Sequence, residues 1–229
     1  MNHQNPYARF LRQLDIVPRE IFDSTVTIVG CGAIGRQAAT MCAAMGPKKI
    51  MLFDFDTVED HNRTTQGYRI KDVGMSKVDA LVEYLSELYD DVEFVPINSK
   101  FPCEEVKDLG DIVMFCTDSI DARSEGWQFI KDKDFKFLVD GRMLAENMRV
   151  IAGNKEALLS GYEDTLFDAK DALEGKCTER MTLYSASVCA GNMMSKLNRF
   201  LRKENFAFDT MFSLKNEEYG PIATGFVEQ

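Results

Sequence analysis

A glycine-rich hexapeptide and the carboxylate that follows it are the first residues whose types and spacing suit a chemical task. Residues 30–35 read Gly-Cys-Gly-Ala-Ile-Gly, a GxGxxG pattern between an apolar run and an alanine-rich segment. Glycines in this pattern permit a tight turn and let phosphate groups approach the backbone N–H groups at the start of a helix. Asp54 follows the next apolar run, where a carboxylate can bind ribose hydroxyls. The pattern predicts a nucleotide site made of Gly30, Gly32, Ala33, Ile34, Gly35 and Asp54.

A polar run begins at Asp54 and adds further candidates. It contains the carboxylate of Asp56, the amide of Asn62 and the guanidinium of Arg63, and it ends at Gln66. The glycine pattern and Asp54 alone would suit a dehydrogenase that binds a dinucleotide, but such an enzyme has no evident need for this run. The run therefore favours a different nucleotide-dependent reaction.

The order of these residues resembles the signature of the ThiF/MoeB/HesA adenylyltransferases, a family similar to ubiquitin-activating enzymes. That signature reads Asp-x-Asp-x-Val-Glu, then Asn, then Arg-Gln, then Gly-x-x-Lys at the start of a helix, with Thr-Asp…Arg farther on. The resemblance runs in order from Gly30 to Arg123 and continues more weakly to about Leu201. The matching residues are Asp54, Asp56, Val58, Glu59, Asn62, Gln66, Gly74, Lys77, Thr117, Asp118 and Arg123.

The resemblance implies an ATP-dependent reaction that activates the C-terminal carboxylate of a small ubiquitin-like or sulfur-carrier protein as an acyl-adenylate. It implies that Lys77 and Asn62 bind the nucleotide phosphates and that Asp118 holds Mg²⁺. No general base is needed, because the attacking carboxylate is already ionised at neutral pH. The implied catalytic residues are Lys77, Asp118, Arg63 and Cys177. The implied nucleotide ligands outside the glycine pattern are Asp54, Asp56, Asn62, Gln66 and Lys77.

One position departs from the family pattern. The family carries Arg immediately before the Gln, and this chain carries Thr65 there. Arg63, two residues earlier, and Arg36, just after the glycine pattern, are the candidates to replace that arginine. The spacing from Gln66 to Lys77 is also slightly shorter than in the family. These departures leave open an atypical active site or a protein that has lost catalysis.

Cys177 is the cysteine whose surroundings favour reactivity. It stands among polar residues, beside Lys176 and near Arg180, and neighbouring cations lower the pKa of a thiol. The resemblance implies that a cysteine in such a crossover loop can take the acyl group as a thioester or persulfide, whereas other members stop at the adenylate. The alternative for Cys177 is a packing role in the loop. Cys189, in an apolar segment, is expected in the core.

Three further residues have a functional and a structural interpretation. Arg142 follows the fifth predicted strand, where open α/β sheets bind ligands, so it either recognises an anion or forms a salt bridge. Trp127 is expected in the core or at a dimer surface. His61 lies in the predicted nucleotide loop, but adenylation requires no histidine, so no catalytic role is expected for it.

Strands and helices are predicted to alternate through the first part of the chain. Such alternation is typical of a doubly wound, mainly parallel, Rossmann-like α/β sheet. The predicted strands are 25–29, 49–54, 92–95, 111–116 and 137–140, and the predicted helices are 34–44, 76–89 and 119–131. On the C-terminal side we expect antiparallel strands at 147–152 and 208–214, beside a helix at 184–201.

The chain is expected to form a single domain over residues 1–229. A Rossmann-like core should span 24–140, and a C-terminal part should span 141–229 and include a crossover loop at about 153–181. Residues 7–23 carry apolar and charged positions at helical spacing, which predicts a lead-in helix with a short connector.

The composition limits the class of protein and its partners. The 229 residues carry a net charge of −10, and 45% are hydrophobic, which is ordinary globular composition. The acidic balance argues against non-specific nucleic-acid binding, which needs clustered cations. The basic residues at 196–203 are expected on the solvated face of a helix.

No apolar run has the length of a signal peptide or a membrane span, so we expect a cytoplasmic protein with reduced thiols and no membrane contact. The six cysteines include no CxxC pair, which predicts a compact branch of the family without paired zinc cysteines.

Family resemblance also implies a homodimer with the nucleotide site close to the interface. Three other functions stay open: an enzyme of the same fold that adenylates a peptide or tRNA-borne carboxylate, an NAD(P)-dependent oxidoreductase, and a catalytically silent scaffold that binds a ubiquitin-like partner. The acidic charge speaks mildly against the tRNA version.

Overall fold

Short β-branched and aliphatic runs form the strands at the centre of the molecule. The computed structural model describes residues 8–103, 108–166, 181–222 and 225–227. The strands are β1 Thr25–Val29, β2 Lys49–Phe53, β3 Glu93–Ile97, β4 Ile112–Phe115, β5 Phe137–Leu144, β6 Asn147–Asn154, β7 Phe206–Ala207, β8 Asp209–Ser213, β9 Glu218–Pro221 and β10 Phe226–Val227. The α-helices are α1 Ala33–Met45, α2 Asn62–Thr65, α3 Lys77–Leu88, α4 Ile120–Ile130, α5 Lys155–Gly161 and α6 Leu183–Leu201.

The main sheet has the strand order β3-β2-β1-β4-β5-β6-β8-β9. The strands from β3 to β5 in this order are parallel, and β6, β8 and β9 are antiparallel to their neighbours. This arrangement confirms the prediction of a doubly wound, mainly parallel sheet with antiparallel strands on the C-terminal side.

The register of the parallel strands brings their carboxyl ends to one edge of the sheet. Val29 at the end of β1 is paired with Phe53 of β2 and Phe115 of β4. Phe115 is in turn paired with Asp140 of β5. The glycine pattern, the Asp54 run and the Thr117–Asp118 segment follow β1, β2 and β4, so they leave the sheet at this common edge.

Most of the helices begin at a residue that caps them with its own side chain. Each cap accepts a hydrogen bond from the backbone N–H three residues on, which satisfies one of the free donors of the first turn. The caps of α3, α4, α5 and α6 are Ser76, Ser119, Asn154 and Thr182. Helix α1 is instead preceded by Gly32, which has no side chain to cap it.

The C-terminal end of α1 is held by the segment of the chain that precedes β1. Its last residue is followed by Gly46 at φ 88°, where a Cβ would lie 2.4 Å from the Phe10 ring. The Arg9 guanidinium donates to the carbonyl oxygens of Ala43 and Ala44 at the C-terminus of the helix. The segment before β1 therefore fixes the C-terminal end of α1, the end opposite the glycine pattern.

Apolar side chains cover both faces of the sheet. Helices α1, α3 and α6 bury their apolar residues against one face, which includes Ile28 and Leu52. Helices α4 and α5 pack on the other face, where Trp127 is 1% exposed. The prediction of a core or dimer-surface position for Trp127 thus resolves to the core.

Two predictions for the connecting segments were wrong. Residues 7–23 were predicted to contain a lead-in helix, but the described part forms short 3₁₀ turns at Ala8–Phe10 and Arg19–Asp23. Pro18 stands between these turns and disfavours a helical conformation of the residue before it. The crossover loop predicted at about 153–181 is not irregular over its first described part, because β6 reaches Asn154 and α5 and a 3₁₀ turn at Glu163–Thr165 follow.

The basic stretch at 196–203 is only partly on a solvated helix face. Lys196 is 4% exposed, and its ammonium donates to the carbonyl oxygens of Ala207 and Phe208. Burial lowers the pKa of Lys196 to about 8, and the nearby charge of Asp209 opposes this shift. The solvated-face prediction is therefore wrong for Lys196, whose amine ties α6 to the β7–β8 connection.

Helices long and apolar enough to span a membrane are absent from the described segments.

Candidate functional site

The glycine pattern forms a tight loop between β1 and α1. Gly30 has φ +91°, and a Cβ there would lie 2.9 Å from the Cys116 carbonyl oxygen of β4's end. A Cβ at Gly35 would lie 1.8 Å from the Gly30 carbonyl oxygen, so neither glycine can be replaced without moving backbone. Gly32 differs, because a Cβ there would meet nothing within 4 Å. The loop therefore packs tightly on the sheet at Gly30 and Gly35, whereas Gly32, the N-cap residue of α1, faces open space.

Asp54 connects this loop to the residues after β2. Its carboxylate accepts hydrogen bonds from the backbone N–H of Cys31 at 2.7 Å and from that of Asp56 at 2.8 Å. Burial raises the pKa of Asp54, and the nearby Lys77 ammonium and the two N–H donors counteract that rise. Each carboxylate oxygen retains acceptor capacity beyond its one backbone bond, so Asp54 can hold the loop and still bind a hydroxyl.

Lys77 lies beside these carboxylates at the start of α3. Its Nζ is 2.7 Å from the Asp56 carboxylate, and its backbone N–H donates to the Asp56 carbonyl oxygen at 2.9 Å. The Lys77 side chain is 9% exposed, whereas that of Asp56 is 50% exposed. Asp56, predicted as a nucleotide ligand, is thus the ion-pair partner of the predicted phosphate-binding lysine.

The amides predicted to bind the nucleotide are buried at α2. The Asn62 Oδ1 accepts from the Glu59 backbone N–H at 2.8 Å, which shapes the turn that enters α2. Gln66 is 8% exposed, and its Oε1 has no hydrogen-bond partner in the described structure. The nucleotide-binding roles of Asn62 and Gln66 stay predictions.

Thr65, which stands where the family pattern has an arginine, lies at the surface of α2 together with Arg63 and His61. Arg63 pairs with Asp60 at 2.7 Å on the exposed side of the helix. The Thr65 hydroxyl donates to the His61 carbonyl oxygen at 3.0 Å. The His61 ring is 61% exposed and lies 3.4 Å from Glu59. The proposed replacement of the missing arginine by Arg63 is therefore not favoured by its position.

Arg36, the other candidate, is buried. It is 6% exposed, and its guanidinium lies 4.6 Å from the centre of the Tyr84 ring and 5.2 Å from that of Tyr68. Burial lowers the pKa of Arg36, although the charge of Asp72 and the two tyrosines oppose the shift. The hydroxyl of Tyr68 donates to the Cys31 carbonyl oxygen at 2.7 Å. Sequence reasoning did not single out Tyr68, which joins Arg36 to the glycine loop.

Asp118 lies exposed after β4, at the same edge of the sheet. Arg123 supports the backbone around it, because its guanidinium donates to the carbonyl oxygens of Thr117 and Ser119. Its Nε also donates to the Asp140 carboxylate at 2.8 Å. Arg123 thus shapes the segment that carries Asp118.

Asp140 is the centre of a buried charge cluster that the sequence reasoning missed. It is fully buried and accepts hydrogen bonds from Arg123, from Arg142 at 2.7 Å and from the Tyr162 hydroxyl at 2.9 Å. Burial would raise the pKa of Asp140, but the two arginines lower it below its ordinary value. Of the two interpretations of Arg142, the structure supports the salt bridge. The available signal was a carboxylate at the end of an apolar strand with arginines nearby in sequence.

The five described cysteines comprise four buried thiols and the half-buried Cys103. Cys31, Cys42, Cys116 and Cys189 are buried, which agrees with the core role expected for Cys189. Burial raises the pKa of Cys189 to about 12, so its thiol is protonated at neutral pH. Cys177 lies outside the described residues. Within the described ranges, no three His, Cys, Asp or Glu side chains are grouped as a metal site would require.

Comparison with known proteins gives the following similarities. Residues 11–217 match the model of the family described as the ThiF family. A ubiquitin-like modifier-activating enzyme 5 from Arabidopsis thaliana is 28% identical over 212 residues, which cover 82% of this chain and 48% of that protein. An adenylyltransferase and sulfurtransferase uba4 from Aspergillus clavatus is 37% identical over 124 residues, which cover 49% of this chain and 25% of that protein. This chain therefore spans about half, or less, of these relatives.

A similar fold occurs among solved structures. The crystal structure of Escherichia coli MccB with ATP aligns with a TM-score of 0.72 at 16% identity, over 97% of this chain and 72% of that one. At this level of identity the likeness concerns the fold.

Proposed function

The chain belongs to the ThiF family, and on this premise we propose that it is an ATP-dependent adenylyltransferase. Its substrate would be the C-terminal carboxylate of a small ubiquitin-like or sulfur-carrier protein, activated as an acyl-adenylate. One observation carries the proposal: an open glycine loop, the Asp54 carboxylate bonded to that loop and the Lys77 ammonium meet at one edge of the sheet.

The loop and Asp54 supply the binding of the nucleotide. With no side chain at Gly32 and none capping α1, the first N–H groups of the helix are available to phosphate oxygens. Asp54 would accept a hydrogen bond from a ribose hydroxyl while its backbone bonds keep the loop in place. Neither contact requires the loop to change its conformation.

Lys77 supplies positive charge for the transfer step. A carboxylate oxygen of the carrier protein attacks the α-phosphorus of ATP, the bond from that phosphorus to the bridging oxygen breaks, and pyrophosphate leaves. The nearly buried Lys77 ammonium would leave the half-exposed Asp56 carboxylate and bind the phosphates. It would then stabilise the negative charge that develops on the pyrophosphate leaving group. Because water is largely excluded around Lys77, this attraction is stronger than at an exposed site.

Asp118 is the residue we propose for Mg²⁺. It is exposed at the sheet edge and forms no bond with a described residue, so its carboxylate is available. A magnesium ion typically uses one or two carboxylates, substrate phosphates and water, and the lone Asp118 fits that pattern. The ion would neutralise phosphate charge when bound.

Cys177 is proposed to receive the acyl group in a following step. Its thiolate would attack the acyl carbonyl carbon of the adenylate, form a thioester and release AMP. The neighbours Lys176 and Arg180 support this role by favouring the thiolate.

We further propose a homodimer in the cytoplasm, with the nucleotide site close to the interface. The family supports the dimer, and the free described cysteines are typical of a reducing compartment.

Thermal unfolding with Mg-ATP, Mg-AMP and NAD(H), in parallel, tests the proposal. A ligand at 100 times its dissociation constant adds about 2.7 kcal/mol to the free energy of unfolding, which raises Tm measurably. We expect Mg-ATP to raise Tm and NAD(H) to leave it unchanged. Stabilisation by NAD(H) alone would indicate the oxidoreductase, and stabilisation by none of them would indicate the silent scaffold.

A further inference from the structure

Arg36 is a buried cation that lacks a polar partner in the described part of the chain. Its Nε has no hydrogen-bond partner, and its guanidinium forms no ion pair with a described residue. Asp72, whose charge acts on it, is bonded to the backbone N–H and the Nε of Arg69. Burying a charge is unfavourable unless an opposite charge joins it. An anion from outside the described residues would complete this environment.

The position of Arg36 relates that missing anion to the nucleotide site. The Tyr68 ring under its guanidinium carries a hydroxyl that bonds the Cys31 carbonyl oxygen of the glycine loop and lies 3.4 Å from the Lys77 carbonyl oxygen. On the other side, a Cβ at Gly67 would lie 3.1 Å from the Arg36 Nη1. Arg36 therefore lies between the glycine loop, the start of α3 and the end of α2.

The two α2 residues considered for the same role, Thr65 and Arg63, do not place a cation next to Arg36 and the glycine loop. Thr65 is uncharged, and its hydroxyl is used by the His61 carbonyl oxygen. Arg63 points to the surface and is paired with Asp60. Lys77 is the other buried cation nearby, and one ammonium does not neutralise a triphosphate.

Resting on the proposed function, we infer that Arg36 binds the β- and γ-phosphates of the nucleoside triphosphate. It would thereby replace the arginine that the family carries at the position of Thr65. Among the described residues, the contacts found for the guanidinium are with the two rings, so it can turn toward the phosphates while its aliphatic stem stays packed. Its planar fork then gives two parallel hydrogen bonds to phosphate oxygens, which an ammonium cannot do.

The test compares affinities for Mg-ATP and AMP, measured by calorimetry on the whole chain. Arg36→Met keeps the apolar stem and removes the charge, and Arg36→Lys keeps the charge without the fork. We expect Arg36→Met to weaken Mg-ATP binding about tenfold to a hundredfold and to leave AMP binding within about twofold, because AMP lacks the β- and γ-phosphates. Arg36→Lys should lie between Arg36→Met and the wild type.

Arg199 is exposed on α6, and Arg199→Ala is the control for the loss of a positive charge. Arg63→Ala tests whether Arg63, rather than Arg36, binds the phosphates. Equal loss of ATP and AMP affinity in Arg36→Met, or unchanged ATP affinity, would overturn the inference and leave Arg36 a structural residue. A selective loss in Arg63→Ala would also overturn it. If Arg36→Met does not fold, Arg36→Lys decides, since wild-type ATP affinity in that variant would refute the fork contact. A wild type that binds no ATP would instead refute the proposed function.

Discussion

Lys77 and Asp56 form an ion pair in which the Lys77 side chain is nearly buried and the Asp56 side chain is half exposed. In Lys77→Ala, water can solvate the half-exposed Asp56 carboxylate, and the Asp54 carboxylate keeps its hydrogen bonds from two backbone N–H groups, so neither carboxylate is left without a partner. We expect Lys77→Ala to lower the rate of adenylate formation about 100-fold or more, as loss of a preorganised charge does, with little change in Tm. Pyrophosphate release and thermal unfolding measure the two effects.

Lys100→Ala serves as the matched control, since Lys100 is exposed and pairs with Glu125 at the surface. An active Lys77→Ala enzyme would remove the phosphate role from Lys77.

The residue types and their order along the chain were enough to predict the glycine loop, Asp54 and Lys77. They were not enough to predict which side chains meet. The pairing of Lys77 with Asp56 depends on how the segment after β2 folds back on α3. The burial of Arg36 between two rings depends on Tyr68 and Tyr84, which come from separate segments. Contacts of this kind follow from tertiary packing, to which a local pattern gives no access.

Among the elements, β5 and its neighbours depend on the Asp140 cluster. Arg123 comes from α4, Tyr162 follows α5, and Arg142 extends β5 toward the Thr165 carbonyl oxygen. Removing the carboxylate charge would leave Arg123 buried without a counter-charge. We therefore expect Asp140→Asn to lower the free energy of unfolding by about 3–5 kcal/mol, measured by urea denaturation at neutral pH.

The pH dependence of this loss follows from the lowered pKa of Asp140. A carboxyl whose pKa is lower in the folded than in the unfolded chain contributes its full stabilisation above the unfolded pKa of about 3.9. That contribution disappears as pH falls through the folded pKa. The difference between wild type and Asp140→Asn should therefore narrow below about pH 4. Asp134→Asn, at an exposed position, is the control. An Asp140→Asn variant as stable as the wild type at neutral pH would contradict the stabilising role of the Asp140 cluster.

Element boundaries show where sequence periodicity carries less information. The long runs of β1, α1 and α3 were predicted within about two residues of their observed bounds. Helix α5, at seven residues, is too short to give a clear period and was missed in the predicted loop. Lys196 was misassigned because its amine reaches carbonyl oxygens beyond α6, in a segment that the helical pattern does not include.

At the scale of the whole molecule, the apolar surface of α6 bears on the proposed homodimer. Tyr184 and Val188 are one helical turn apart on one face and are 53% and 38% exposed. Neighbouring exposed apolar side chains often mark interaction surfaces. We expect light scattering to give about twice the 26.0 kDa chain mass for the wild type, and Val188→Glu to shift the equilibrium to the monomer, because a buried carboxylate at an interface is unfavourable. Ser86→Glu adds the same charge at an exposed position of a different helix, α3, and should remain dimeric. A wild type that is monomeric over the whole concentration range would refute the dimer, and a dimeric Val188→Glu would move the interface away from this face.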